Sequence, residues 1–288
     1  MIRKFICSIL MVSIPSICES FRIRQPEPPH AEKTYHFDFK PNPGIIELLY
    51  DGKRYRLRRV FDTTYMFLDG LNWAVATIMK NDDIDGTIFF EKSMSDRFIY
   101  HDDCFVNRFK KSRTMKIGIL TDMSWRKKYG VNHRRKINQI VGIASAITQT
   151  QFNFKIRIRK YINNSMFDTC QESIFKGLDL FKTFKKPKFL AHWHYVTDCY
   201  PKSNVVGLAY VGAVCNRNRY NIAISTDTWD TEATFIHEVG HIIGAKHGKN
   251  GIMGSGFPLR FHFNRKSEIC PVINSKRRCM FHKRRLYN

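Results

Sequence analysis

Residues 237–247 read His237-Glu238-Val239-Gly240-His241-Ile242-Ile243-Gly244-Ala245-Lys246-His247. Written as a pattern, this is H-E-x-x-H-x-x-G-x-x-H with every fixed position filled. On a helix of 3.6 residues per turn, His237 and His241 stand one above the other on one face. Both imidazoles then reach a single cation, and zinc takes imidazole nitrogen at about 2.0–2.1 Å. Glu238 sits beside the first ligand, so its carboxyl meets a metal-bound water without ligating. Gly244 permits a left-handed or otherwise open end to the helix. The chain then swings and His247 supplies a third nitrogen. Three neutral imidazoles leave a fourth position for water, whose pKa zinc lowers towards about 7. The pattern predicts peptide-bond hydrolysis by that water, with Glu238 as general base and then as general acid.

Working outward, Gly251-Ile252-Met253-Gly254 suits a tight turn just after the third histidine and resembles the turn that the metzincin pattern sets, with its Met, beneath the zinc histidines. Upstream, Thr231 to Ile243 is the helix that carries the motif. Before it come strand-like runs at Met115–Leu120, Phe152–Ile162, Phe189–Val196, Val205–Val211 and Tyr220–Ser225. Two helical segments lie among them, His133 to Thr150 and residues 171–185. The first shows Ile137, Ile140, Val141, Ala144 and Ile147 on one side. Strands alternating with helices predict an α/β fold, a mixed, mainly parallel sheet with helices packed on it. His192 and His194 alternate along a strand and resemble a metal pair, but read as structural histidines because the zinc already has three ligands.

The first half is different. From Ile45 to Tyr100, short strand-like runs alternate with turn signals at Asp51-Gly52, Asp69-Gly70 and Asp85-Gly86, which predicts a small β-rich domain. Residues 21–44 hold five prolines that resist regular structure. Residues 1–20 read as a signal peptide, with Arg3 and Lys4, an apolar run from Phe5 to Cys18, and small residues at a cleavage site. A basic stretch, Arg108, Lys110, Lys111 and Arg113, suits processing. The expected organisation is therefore a signal peptide at 1–20, a β-rich domain at 21–113 and a catalytic domain at 114–288.

An exported protein can hold disulfides, and of eight cysteines, Cys7 and Cys18 belong to the leader. No close cysteine pairs suggest a zinc ribbon. The net charge is +23, and residues 114–288 carry 30 basic against 10 acidic side chains. That excess favours a polyanion partner such as sulfated polysaccharide over nucleic acid outside a cell, or serves solubility alone. No stretch beyond the leader is long enough to span a membrane.

With these pieces together, residues 114–288 resemble the catalytic domain of the adamalysin (reprolysin, ADAM-like) branch of the metzincin zinc proteases. The opening strand Met115-Lys116-Ile117-Gly118-Ile119-Leu120-Thr121-Asp122 and the run Gly207-Leu208-Ala209-Tyr210-Val211-Gly212 before Cys215 carry the likeness beside the histidine motif. The resemblance implies that Gly207, Leu208, Ala209, Tyr210 and Val211 form an edge strand that pairs with extended substrate. It implies that Gly254 to Leu259 wall a side-chain pocket, that 21–113 is a propeptide, and that Cys215 pairs with Cys279. The family usually has Asp where this chain has Gly248, and the shorter link to Met253 leaves Cys270 without its usual partner. Cys170 and Cys199 form a possible pair. Cys104 has two readings, a switch cysteine whose thiolate fills the open metal position or one half of a disulfide. The expected function is that of a secreted, zymogen-type zinc metalloendopeptidase acting on extracellular proteins. The rival is a catalytically silent zinc-containing or polyanion-binding extracellular protein.

Overall fold

Segments of three to ten residues pair into two sheets in the computed structural model. It describes residues 17–23, 45–50, 53–61, 64–69, 72–78, 84–90, 113–163, 167, 170–187, 189–200, 205–227, 231–249, 251–254 and 265–281. The first sheet is antiparallel throughout. Its strands are β1 (Ile17–Ile23), β2 (Ile45–Tyr50), β3 (Lys53–Phe61), β4 (Thr64–Asp69), β5 (Asn72–Ile78) and β6 (Ile84–Phe90). They lie in the order β1-β6-β5-β4-β3-β2. Asp85 and Gly86 lie inside β6, paired with Thr77 and Ala76, so the turn expected there is absent; the ladder to β5 overrides the local turn signal. β1 runs across residue 20, the expected end of the leader.

The second sheet contains β7 (Arg113–Thr121), β8 (Phe154–Asn163), β9 (His192–Thr197), β10 (Gly207–Ala209) and β11 (Ile222–Thr226). Its order is β10-β11-β9-β7-β8. All neighbours are parallel except β10, which runs antiparallel to β11 at one edge. Helices α1 (Met123–Tyr129), α2 (His133–Phe152), α3 (Ile174–Thr183), α4 (Thr231–Ile242) and α5 (Lys266–Phe281) complete it. This is the α/β architecture with a mainly parallel sheet that the strand–helix alternation predicts.

Side-chain alternation divides the sheet's two faces. Met115, Ile117 and Ile119 of β7 and Val196 of β9 join α2 and α4 in one apolar core. Leu120, Trp193, Tyr195, Ile222 and Ile224 form the other core with Ile174, Leu178 and Phe181 of α3. A strand buried on both faces reads as a continuous apolar run, as β7 does. At the far edge, β8 buries Phe154 and Ile156 and turns Lys155 and Arg157 outward, a charged edge that discourages further pairing.

The helix ends explain where the chain turns. Asp122 caps α1, accepting from the Trp125 N–H at 2.9 Å. The same buried carboxylate accepts from Tyr195 Oη at 2.7 Å and from Thr197, which ties the end of β7 to β9. Asn153 closes α2 in the left-handed region, φ 53°, a conformation asparagine tolerates better than most residues. Cys170 pairs with Cys199, and Cys215 with Cys279. Cys270, expected to lack its usual partner, is also disulfide-bonded. Among the described residues no helix is long and apolar enough to cross a membrane.

Candidate active site

Helix α4 starts where Asp227 accepts from the Tyr129 hydroxyl at 2.6 Å and from Thr231. It is held against α2 by Lys136, whose Nζ donates to Glu232 Oε1 at 2.9 Å. Its apolar side, Phe235, Ile236, Val239 and Ile242, is fully buried. The opposite side therefore carries His237 and His241 in a fixed orientation, one turn apart, with ring centroids 4.7 Å from each other.

The helix ends at Gly244, whose φ is +112°. A Cβ there would also come within 3.0 Å of the Glu268 carbonyl oxygen, so glycine is required twice over. The reversal brings the His247 ring to 4.6 Å from His241 and 5.2 Å from His237. The three histidines offer ligand atoms that all lie within 4.8 Å of one another.

The donor set suits a cation. His237 Nδ1 donates to the Ile252 carbonyl at 2.6 Å and His241 Nδ1 to the Ala245 carbonyl at 2.8 Å. Each Nδ1–H so committed leaves Nε2 as a bare lone pair. Burial pushes the His237 imidazole down to about 4 and also lowers that of His241, so both are neutral at pH 7. His241 Nε2 and His247 Nε2 stand 3.1 Å apart, close to the roughly 3.3 Å separation of two nitrogens sharing a tetrahedral zinc. The residues present fit zinc.

Glu238 is buried, and its Oε2 has no hydrogen-bond partner. Burial raises its carboxyl well above the usual carboxylate range. The side chain lies against Gly207 at the start of β10, where a Cβ would come within 2.8 Å of Glu238 Cδ and Cγ. Hence the glycine that opens the edge strand also makes room for the carboxyl. The strand itself is shorter than expected. Leu208 and Ala209 continue it, but Tyr210 has left the ladder and Val211 lies in a turn, half exposed. The cause is the pairing of the following turn with α4, since the Gly212 N–H donates to the His241 carbonyl at 2.8 Å and the Val214 N–H to that of Ile242 at 3.0 Å. Cys215–Cys279 fastens this turn to α5.

Met253 is buried in the turn 251–254, and the carbonyl of its neighbour Ile252 accepts from His237 Nδ1. The Gly248 N–H donates to the Met253 carbonyl at 2.7 Å, so this short link is closed on itself. Two residues that the sequence reading passed over support His247, one just before α5 and one within it. Arg265 donates to the carbonyls of Lys246 and His247, each at 3.2 Å, and Glu268 accepts from the Lys246 N–H at 2.8 Å. Arg265 and Glu268 also pair with each other at 2.8 Å. They lie 18 and 21 positions after His247, and no local spacing signals them.

His192 and His194 stand apart from the triad. They share a bond of 3.0 Å, and His194 Nε2 meets Ser225 Oγ at 2.8 Å. His194 stacks on Phe235. Burial holds His192 down at about 3, so the pair is neutral core. Cys104 and residues 255–259 lie outside the described residues.

The model for metallo-peptidase family M12, reprolysin type, matches residues 111–281, more than half of the chain. The protein belongs to the M12 metallopeptidases. Among relatives, a "Disintegrin and metalloproteinase domain-containing protein B" from Arthroderma otae is 25% identical over 205 residues, 58% of this chain and 25% of that one. A "Disintegrin and metalloproteinase domain-containing protein adm-2" from Caenorhabditis elegans is 25% identical over 152 residues, 49% of this chain and 16% of that one. The M12 chain thus spans a quarter or less of the length of these relatives. A metalloproteinase-II structure from Bacteroides fragilis aligns over 78% of this chain and 84% of its own, at 13% identity and a TM-score of 0.46. Membership of this family implies a zinc cofactor, and His237, His241 and His247 form a group that could hold a metal ion.

Proposed function

We propose that this M12 metallopeptidase is a secreted zinc endopeptidase that cuts extracellular proteins, with His237, His241 and His247 as metal ligands and Glu238 as general base and acid. The observation that carries this reading is the convergence of three imidazoles beside a buried carboxyl whose Oε2 has no partner. Zinc, when bound, supplies Lewis acidity and lowers the pKa of water. The chain does the rest. The two committed Nδ1 protons hold His237 and His241 with Nε2 inward. Glu238 takes a proton at its free oxygen from the attacking water and delivers it to the leaving amide nitrogen. The apolar packing around α4 fixes the carboxyl, and Gly207 leaves it space. The open side of β10 offers backbone groups to an extended peptide, with Gly207, Leu208 and Ala209 as the pairing residues and Tyr210 and Val211 just beyond them. Met253 supports the triad from below.

Export is supported by the leader-like residues 1–20 and by disulfides, which persist in oxidising compartments. Residues 21–113 act as a pro-segment in this reading. The basic excess of 114–288 favours retention on an anionic polysaccharide. The test is hydrolysis of a quenched fluorescent peptide library by processed protein, with and without a zinc chelator, alongside Glu238→Ala. Chelator-sensitive cleavage absent from Glu238→Ala is the expected result. A folded, zinc-loaded sample that cuts nothing would favour a silent binding protein.

A further inference from the structure

Helix α2 is covered on every side. Ten successive residues, Gln139 to Thr148, are all buried, and ten residues make nearly three turns. One side packs on β8 and α4. Another side meets β4, β5 and β6 of the N-terminal sheet. Met66 and Val75 of that sheet belong to the same apolar core as Ile140, Ala144, Phe235 and Met253. Arg157 of β8 also donates to the Val60 carbonyl at 3.4 Å. The extensive packing of the N-terminal sheet is thus with α2, not with α4, β10 or α5, which frame the triad.

Cysteine arithmetic adds an independent observation. Of eight cysteines, Cys170, Cys199, Cys215 and Cys279 are used by two bonds, and Cys270 of α5 is bonded as well. The cysteines that remain, Cys7, Cys18 and Cys104, all precede Arg113. A bond from Cys270 to any of these would lead from α5 to the chain on the far side of the basic stretch at 108–113. Removal of a leader ending at residue 20 takes Cys7 and Cys18 away and leaves Cys104 for this role.

We propose that the N-terminal domain is a permanent second chain of the mature protein and is not released, being seated on α2 and tethered to α5 through Cys270. Cutting within 108–113 by a basic-specific protease adds one water across one peptide bond and leaves the disulfide untouched. The domain then stays seated on α2 after the cut. A Cys104 thus engaged is no switch thiolate. The proposal does not depend on the catalytic reading, since its test reads chain connectivity and not activity.

The experiment uses full-length protein from a secretory host, nicked with trypsin at limiting dose. On a non-reducing denaturing gel the nicked protein should run as one band, and reduction should split it into two. Peptide mapping of the unreduced sample should yield a crosslinked peptide containing Cys270 and a cysteine from before Arg113. Nicked Cys270→Ser should give two bands without reductant, yet elute as one species from a native sizing column because α2 still holds the sheet. If Cys270→Ser does not fold, the wild-type gel and the peptide map still decide. Two bands from nicked wild type without reductant would overturn the tether. Separate elution of the Cys270→Ser pieces, with the catalytic piece still folded, would overturn the docking on α2.

Discussion

At the scale of single residues, the account rests on how few atoms are left uncommitted. His237 and His241 each spend one nitrogen on a carbonyl, and Glu238 keeps one oxygen free. Gly207→Ala would press a methyl against the Glu238 side chain. We expect kcat to fall by about 10²-fold, as for an ångström-scale misplacement of a catalytic group, with zinc content and KM nearly unchanged; steady-state kinetics beside metal analysis checks this. Arg265→Ala removes two donors from the loop that presents His247. Zinc affinity should weaken by about 10–100-fold, as for other groups that orient a ligand, measured by competition with a chelator. The convergence of the three histidines beside Glu238 is legible in the sequence because one helix and one turn place them, within eleven residues. Arg265 and Glu268 are not legible, because α5 must fold back across Gly244 before they reach the loop. Gly248 illustrates the same limit. Its N–H closes the link on Met253, and Arg265 stands 3.6 Å from where its Cβ would be, so the loop is secured by a cation just before α5.

At the scale of elements, α4 and α2 decide the site. The apolar stripe Ile137, Ile140, Val141, Ala144 and Ile147 reads as one buried side, yet Gly142 and Ala146 on the opposite side are buried too. A small-residue face looks neutral in sequence, yet in the fold it is core. Ala146→Glu tests this. On a solvent-facing surface it would be nearly neutral, whereas here it places an unpaired charge in the core and should cost roughly 3 kcal/mol or more. That corresponds to about 6–12 °C in Tm, read by thermal unfolding. Strand β10 is the element the sequence overextends, because the turn at Gly212 is set by hydrogen bonds to α4 and not by local propensity. Helix α5 escapes a periodicity reading for another reason. It is half polar, buries only Ile269, Ile273 and Met280, and contains Pro271.

At the scale of the whole molecule, the fold class follows from alternation of strands and helices, whereas the seating of one domain on the other depends on contacts between distant residues. The charge imbalance belongs to this scale as well. A protein with 30 basic and 10 acidic side chains over residues 114–288 should be retained on a heparin column at low salt and released as ionic strength rises. The most direct test of the central claim is a zinc titration of metal-stripped, processed protein, followed by cleavage of a quenched peptide. The account predicts no hydrolysis without metal, a rise that saturates at one equivalent of zinc, and no rise for Glu238→Ala with the same zinc bound. Hydrolysis that survives stripping, or that persists in zinc-loaded Glu238→Ala, would contradict it.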